Sequence, residues 1–550
     1  MTDVEQLVAS HRPLLEEAVT AIRKRGYWSA FPESPSTKIW GDEAPGAGKA
    51  AFESLLGKAF PLSTLGAQGA VAPERSPYGI ALGVHYPHLT VDGVDKLLRA
   101  ATAAMPAWRD AGALARAAVC VEILQRLNAR SFELAHAVMH TTGQSFVMAF
   151  QAGGAHALDR GLEAVAYTYD AMAAVPASVA WEKPRGRGEP QRLAKSYTIV
   201  PRGVALVIGC TTFPTWNGFP GFFASLAAGN PVIVKPHPHA VLPLALAVSA
   251  ARSVLAECGF DENLVSLAVE GDGEGLASAL ALRPEVRIID FTGSSDYGNW
   301  LEANARQALV FTEKSGINTV IFDSADDVGA MAANLAYSLS LYSGQMCTTP
   351  QVLLVPSSEA DSFVGALAAA LDALLGEPAR ATAMLGALVD DRVADRLAAA
   401  ETRGKVAIAS KPVPHSEFPA AQVRTPLVLR VPSSDVEVFG AECFGPVSFV
   451  VETRDTAESL ELWRMLTATR GALTASVYST DPAVLAGAAR IAVDAGVSLS
   501  VNLTADVYVN QTSAFSDFHA TGANPAANAS LTDAAFVAGR FRVVEIRRPG

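Results

Sequence analysis

From residue 193 onward, short β-branched runs alternate with segments of helical periodicity, and this alternation restricts the fold more than any other feature. A parallel return to the same sheet needs a crossover long enough to hold a helix, so strands and helices in alternation build a mostly parallel α/β sheet. The runs predict strands over 203–208, 231–235, 264–268, 287–291, 308–312 and 319–322. A second α/β stretch runs from 326 to about 500. Ahead of the alternating region, Val4, Leu7, Val8, Leu14, Leu15, Ala18 and Ile22 fall at helical spacing and predict a helix over 2–25. Residues 27–95 are rich in Gly, Pro and Ser and read as irregular, 94–148 as a long helical region, and 150–173 as a further helix. A Pro-, Gly- and Arg-rich loop occupies 184–191. The tail, 500–550, ends in an alternating apolar run over 541–546 that reads as an edge strand.

A chain of 550 residues exceeds the roughly 250–300 at which single cores stop growing, so two or more domains are expected. Apolar residues make up 50% and charged residues 18%, a balance suited to a compact enzyme with surface buried in an oligomer. The net charge of -12, with no stripe of Lys or Arg, argues against nucleic-acid binding, which needs clustered cations. Five cysteines, widely spaced and without a CxxC pair, argue against a disulfide framework and a structural zinc site. Residues 1–10 lack the basic and apolar regions of a secretory signal, and no membrane-length apolar run stands out. A cytoplasmic location is therefore expected, and the Asn-x-Ser/Thr triplets at Asn502, Asn510 and Asn528 read as chance matches. The stretch Ala44–Lys49 (APGAGK) lacks the spacing of a phosphate loop and is rejected as one.

Five stretches carry residues suited to chemistry: 232–236 (VIVKP), 291–298 (FTGSSDYG), 311–316 (FTEKSG), 344–348 (GQMCT) and 442–446 (ECFGP). Cys347 is either a buried inert thiol or a nucleophile whose pKa is lowered by oriented backbone N–H groups. Glu313 ends an apolar run; it is either salt-bridged to Lys314 or Arg306, or a base whose pKa is raised by apolar neighbours. Gly293 and Ser294, with Gly298 following, sit at a predicted strand-to-helix junction, where a helix N-terminus favours a phosphate. Lys235 ends a strand, and Gly271 and Gly273 mark a turn. His237 and His239 offer two metal ligands with no further ones nearby, so no metal is expected.

Taken in this order, the five stretches resemble the aldehyde dehydrogenase superfamily over roughly 95–510, including Pro106–Trp108 and Thr142–Gly143. The Thr-Pro that follows Cys347-Thr348 and the long terminal extensions are most similar to the phenylacetic acid degradation protein PaaN family. The resemblance implies an α/β fold with a Rossmann-like cofactor domain, an α/β catalytic domain and a small β bridge used in oligomer formation. On this chain those parts are expected at 91–312 for the cofactor domain, with 180–200 in the bridge, 313–504 for the catalytic domain and 505–550 for the oligomerisation tail, after an N-terminal extension over 1–90. It implies Cys347 as nucleophile and Glu313 as general base. The glutamate, generally lacking in coenzyme A-acylating relatives, points to a free acid as product. It also implies that Lys235, Gly293, Ser294, Gly298, Glu442 and Phe444 hold NADP or NAD; Pro238, where NAD-preferring members often carry Glu, leans to NADP. The family commonly places an Asn at the oxyanion. Counting back from Ala228-Gly229-Asn230 puts Thr212 there, with Asn217 as the alternative donor. The implied substrate is a small-molecule aldehyde, possibly CoA-linked, of the 3-oxo-5,6-didehydrosuberyl-CoA semialdehyde type, and the implied assembly a homodimer or homotetramer. No hydratase domain is expected after the ECFGP stretch. The competing functions are a semialdehyde or aromatic aldehyde dehydrogenase of another pathway, a non-redox cysteine thioesterase or acyl-transferase, and a non-catalytic scaffold.

Overall fold

The computed structural model describes residues 3–504 and 513–550. Five parallel strands form the first large sheet, in the order Val265–Leu267, Val232–Lys235, Val204–Ile208, Val286–Thr292, Leu309–Glu313. Their residues are apolar almost without interruption, as expected for strands covered by helices on both faces. The strand that comes first in the chain, Val204–Ile208, lies at the centre, and the chain leaves it in opposite directions on its two sides. Ligands of such sheets bind in the crevice outside the carboxyl ends of the strands, where that reversal occurs. Here the crevice opens after Ile208 and Thr292.

The second large sheet has seven strands, in the order Lys405–Ile408, Leu427–Pro432, Val447–Thr453, Val352–Pro356, Thr319–Phe322, Thr474–Tyr478, Ser498–Val501. All pairs are parallel except the first, so an antiparallel edge strand is added to a parallel sheet. The boundary expected at 312/313 falls inside the strand Leu309–Glu313, which leaves Glu313 as the last residue of the first sheet.

The predicted helix over 2–25 is Val4–Lys24. The segment 27–95 is less irregular than its composition implies, with the helix Ala44–Glu53 inside it. The APGAGK stretch starts this helix, and its Gly48 is small because a Cβ there would lie 2.2 Å from the Cβ of Phe132. The long helical region is three helices, Val94–Asp110, Ala113–Asn128 and Ser131–Thr142, with breaks at 111–112 and 129–130 and an end at Gly143. The next helix, Ala157–Ala173, is entered through a π-helical turn, Ala149–His156. Such turns are frequent at functional sites, and this one faces a cavity described below.

Three antiparallel strands, Ser178–Lys183, Gln191–Pro201 and Phe541–Pro549, make a separate sheet whose edge is the predicted terminal strand. Val179, Val543, Val544 and Ile546 are exposed on it. Only part of the expected 505–550 tail lies in this sheet. Residues 505–512 fall outside the described residues, Asn510 among them. Residues 513–533 run between the two large sheets. Ala526 accepts from Lys314 N at 2.6 Å, Asn528 Oδ1 from Thr312 N at 2.9 Å, and Asn524 Oδ1 from Ala472 N at 3.0 Å, which ties this segment to both sheets.

Arg540 anchors the following turn. It is fully buried and grips Asp290 with both Nη atoms, at 2.8 and 2.6 Å. Ser225 Oγ and the Phe536 carbonyl take further donors, and the guanidinium lies over the Phe536 ring. Among the described residues no single helix is long and apolar enough to cross a membrane.

Candidate active site

A strained turn presents Cys347. Tyr342, Ser343 and Gly344 have φ of 50°, 51° and 66°, a left-handed run that L-residues rarely adopt. Side chains hold it in place. Ser343 Oγ lies 3.1 Å from the carbonyls of Leu385 and Arg424, which share its one proton, and Gln345 Nε2 donates to those of Tyr342 and Ala387, both at 3.0 Å. Tyr342 Oη reaches the Thr142 carbonyl. Gly344 also packs against Gly445: a Cβ on it would lie 2.6 Å from the Gly445 carbonyl oxygen, so the GQMCT and ECFGP stretches interlock. Gly344→Ala combines this clash with a positive φ, and is expected to cost about 1–3 kcal/mol of stability and most of the reactivity of Cys347. Denaturant midpoints and thiol alkylation rates check both effects.

Glu313 ends its strand 1% exposed. Its Oε1 accepts from Asn217 Nδ2 at 3.4 Å and its Oε2 from His519 Nε2 at 3.0 Å, while the Cys347 thiol donates to the same carboxylate. The reacting atoms of Glu313, Cys347 and His519 all lie within 4.8 Å of one another. The titration of both main groups runs opposite to the sequence expectation. Burial, and then the charge of Glu313, pushes the Cys347 thiol well above its usual range. Burial also pushes the Glu313 carboxyl up, but His519, Cys347 and Asn217 outweigh it and hold the carboxyl below its usual range. The nearest partner of the thiol is an anion rather than an amide array, and the carboxylate meets donors rather than an apolar wall. At rest the pair is a thiol beside a carboxylate.

Two cavities meet at Cys347. One, of about 270 Å³, occupies the crevice of the first sheet and is lined by Cys210, Thr212, Gly293, Ser294, Glu442 and Phe444, with Cys347, Glu313 and Asn217 at its floor. The helix Ser295–Asn304 points its N-terminus here, capped by Ser294 Oγ on the Tyr297 N–H. The other cavity, of about 210 Å³, lies on the opposite side of the sulfur. Met148, Ala152, Phe213, Trp216 and Met346 make it largely apolar, and among the described residues neither Lys nor Arg lines it. Gln151, Ala152 and His156 come from the π-helical turn. Cys347 and Asn217 line both cavities.

The structure separates the two candidates for the oxyanion. Asn217, in the first turn of the buried helix Pro214–Ala227, stands at the junction beside Glu313. Thr212 lines only the crevice, and its carbonyl accepts from Gln144 Nε2 at 2.8 Å. Of the two, Asn217 is the one whose side chain lies at the junction of the cavities. Lys235 ends its strand as predicted but is buried against the Glu270 carboxylate, outside the lining of the crevice. Gly298 does not line it either; a Cβ there would strike the Lys314 side chain, whose Nζ pairs with Glu302 at 2.9 Å. Gly271 and Gly273 form a turn closed by Glu274 on the Gly271 N–H at 3.1 Å. His237 Nδ1 accepts from the His239 N–H at 3.1 Å, and burial followed by the neighbouring cations lowers its pKa to about 3. His519 was missed by sequence reading, because no motif surrounds it and it lies 206 residues from Glu313.

A crevice at the carboxyl ends of a parallel sheet thus meets a largely apolar cavity at one thiol. The chain belongs to the aldehyde dehydrogenase family, whose description matches residues 67–531. It is 53% identical to a crystal structure titled NAD-dependent aldehyde dehydrogenase from Burkholderia multivorans, with a TM-score of 0.96 over 98% of both chains. It is 33% identical over 296 residues to an alpha-ketoglutaric semialdehyde dehydrogenase 2 from Azospirillum brasilense, covering 50% of this chain and 53% of that protein. With a betaine aldehyde dehydrogenase from Sinorhizobium fredii it shares 26% identity over 412 residues, 71% of this chain and 77% of that one. The first of these curated relatives is thus spanned over about half its length.

Proposed function

We propose that the protein oxidises an aldehyde to a carboxylic acid with NAD(P)+, using Cys347 as nucleophile and Glu313 as base. The observation that carries this reading is the Cys347 sulfur lying between a crevice with a helix N-terminus and a largely apolar cavity. The crevice suits a dinucleotide: Gly293 and Ser294 would meet a phosphate at the N-terminus of Ser295–Asn304, and Glu442 and Phe444 would hold the nicotinamide end. When bound, the dinucleotide supplies the hydride acceptor.

The chain's own groups do the rest. As the carbonyl carbon approaches, the proton of Cys347 passes to Glu313 and the sulfur bonds to the carbon. The Asn217 amide and the Cys347 backbone N–H hold the oxygen that becomes negative. After hydride loss the sulfur carries a thioester. Glu313 releases the proton it took from the thiol to solvent, then takes one from water; the water oxygen bonds to the acyl carbon, the carbon–sulfur bond breaks, and the leaving thiolate recovers a proton from Glu313. Because this second step needs the base most, Glu313→Gln is expected to lower kcat about 10²–10³-fold and leave an acyl adduct on Cys347. Intact mass after mixing with aldehyde and cofactor reads it; rapid turnover without an adduct sinks the assignment of Glu313.

The substrate reading rests on the apolar cavity. With neither Lys nor Arg among the described residues of its lining, it suits an uncharged acyl chain better than a short free semialdehyde, whose carboxylate would meet no permanent cation there. A CoA-linked semialdehyde of phenylacetate degradation, with its charges far from the aldehyde, fits this chemistry, and the likeness to the PaaN family supports it. An aromatic aldehyde is the second reading, favoured by Phe213 and Trp216 in the wall. Comparing kcat/KM for CoA-linked, aromatic and short anionic aldehydes separates them. NAD+ is the preferred cofactor in this reading, against the lean to NADP+ read from Pro238. Glu270 places a carboxylate beside Lys235, where a 2′-phosphate would come, and the Burkholderia relative is named for NAD. Assembly as a dimer or tetramer in the cytoplasm completes the proposal, supported by the exposed Val543, Val544 and Ile546 on the three-stranded sheet.

A further inference from the structure

We propose that His519 is a positioning residue for Glu313: its ring N–H holds one carboxylate oxygen, so that the other stays turned toward Asn217 and Cys347. The proposal rests on the roles given above to Cys347 and Glu313. The two oxygens have different partners, His519 Nε2 on Oε2 at 3.0 Å and Asn217 Nδ2 on Oε1 at 3.4 Å. Glu313 is 1% exposed and His519 2%, so neither has bulk water as an alternative partner. A buried carboxyl whose second oxygen lacked a donor would be free to turn and would favour its protonated form.

The imidazole is itself held on several sides. Its ring meets Trp216 edge-on, with centroids 4.5 Å apart and planes at 78°. The His519 carbonyl accepts from the Leu531 N–H at 3.2 Å and from Ser530 Oγ at 3.3 Å. Among the described residues, charged and titratable groups face it from three elements and from its own segment. Glu313 comes from its strand, Cys347 from the strained turn, and Arg160, over the Trp216 ring and paired with Glu163 at 2.9 Å, from the helix Ala157–Ala173. Asp517, on its own segment, meets Arg160 through its carbonyl. Trp216 and Asn217, from the helix Pro214–Ala227, add no charge.

In the thioester hydrolysis, the proton lost by water goes to Oε1 while the His519 N–H stays on Oε2. Without that donor the carboxylate holds a proton at higher pH, and the base is lost from the acid side. A donor also draws charge off the carboxylate, so its removal leaves the thiol facing a stronger anion and harder to ionise.

His519→Phe keeps a flat ring against Trp216 without a donor, and His519→Gln restores an N–H. In His519→Phe, kcat should fall about 10-fold or more, with the KM for the dinucleotide nearly unchanged. The acid limb of its kcat–pH profile should move up by about one pH unit, and His519→Gln should move it most of the way back. Iodoacetamide labelling of Cys347, followed by intact mass across pH, gives a reading that needs no turnover: its midpoint should rise in His519→Phe and return in His519→Gln. A purely structural role would lower activity evenly across pH. The proposal is overturned if the acid limb and labelling midpoint of His519→Phe match the parent's, or if His519→Gln behaves as His519→Phe. Should His519→Phe fail to fold, His519→Ala against His519→Gln makes the same comparison. If the parent protein oxidises no aldehyde, the dehydrogenase reading fails, and the labelling still decides His519.

Discussion

Replacing Cys347 with alanine is expected to abolish aldehyde oxidation, lowering kcat by at least about 10³-fold, while dinucleotide binding persists. The size of the effect follows from the geometry. No other thiol lies at the floor shared by the two cavities; Cys210 lines the crevice alone. Without the sulfur no covalent acyl intermediate forms, and the aldehyde carbon has no nucleophile beside it. The crevice residues Gly293, Ser294, Glu442 and Phe444 belong to other elements, so the cofactor site survives the change. Steady-state rates together with fluorescence titration of NAD+ and NADP+ test both halves. Oxidation persisting in Cys347→Ala would remove the proposed mechanism. Loss of both activity and binding would mean that the thiol holds the crevice together. A thioesterase or acyl-transferase using the same residues would instead turn over thioesters in the parent protein without reducing nicotinamide.

Arg540→Ala should be the most damaging change for stability, about 3–5 kcal/mol, read as a lower denaturant midpoint. The guanidinium is fully buried, and its removal leaves the Asp290 carboxylate without its bidentate partner beside the helix that carries Asn217. A Cβ at Gly221 would lie 2.3 Å from Asp290 Cγ, so the wall cannot shift to cover the loss. Breaking a buried pair costs more than removing it, because the remaining charge stays desolvated. The double change Arg540→Leu with Asp290→Leu should therefore be milder than the sum of the two single changes. Equal midpoints for Arg540→Ala and the parent would deny the anchor any role.

How much could be read from the chain alone depended on how local each signal was. The six strands predicted between 203 and 322 are present, each within about two residues, because buried parallel strands are apolar over their whole length. Cys347, Glu313, Gly293, Ser294, Glu442 and Phe444 meet at one crevice, as their motifs led one to expect. Features that depend on tertiary partners were not legible. The thiol is pushed up by burial and then by Glu313, and the carboxyl is held down against its own burial by His519, Cys347 and Asn217, an arrangement that no motif contains. Thr212 and Asn217 stayed open as alternatives, because only packing shows that Asn217 stands beside Glu313 while Thr212 lines the crevice alone. Lys235 and Gly298 sit on the expected elements, but their side-chain environments turn to Glu270 and Lys314 instead of the crevice. Composition marked 27–95 as irregular, yet Ala44–Glu53 is a helix packed on Phe132.

The segment that brings His519 to Glu313 is synthesised after every strand of the two large sheets. On the ribosome, a nascent chain could therefore pair those strands and shape the turn around Cys347 while the carboxylate still lacked its imidazole. Residues 513–533 are also stitched to both sheets, so the same late event closes the gap between them. Maturation of the reactive pair in this way waits on a segment made after the strands it joins.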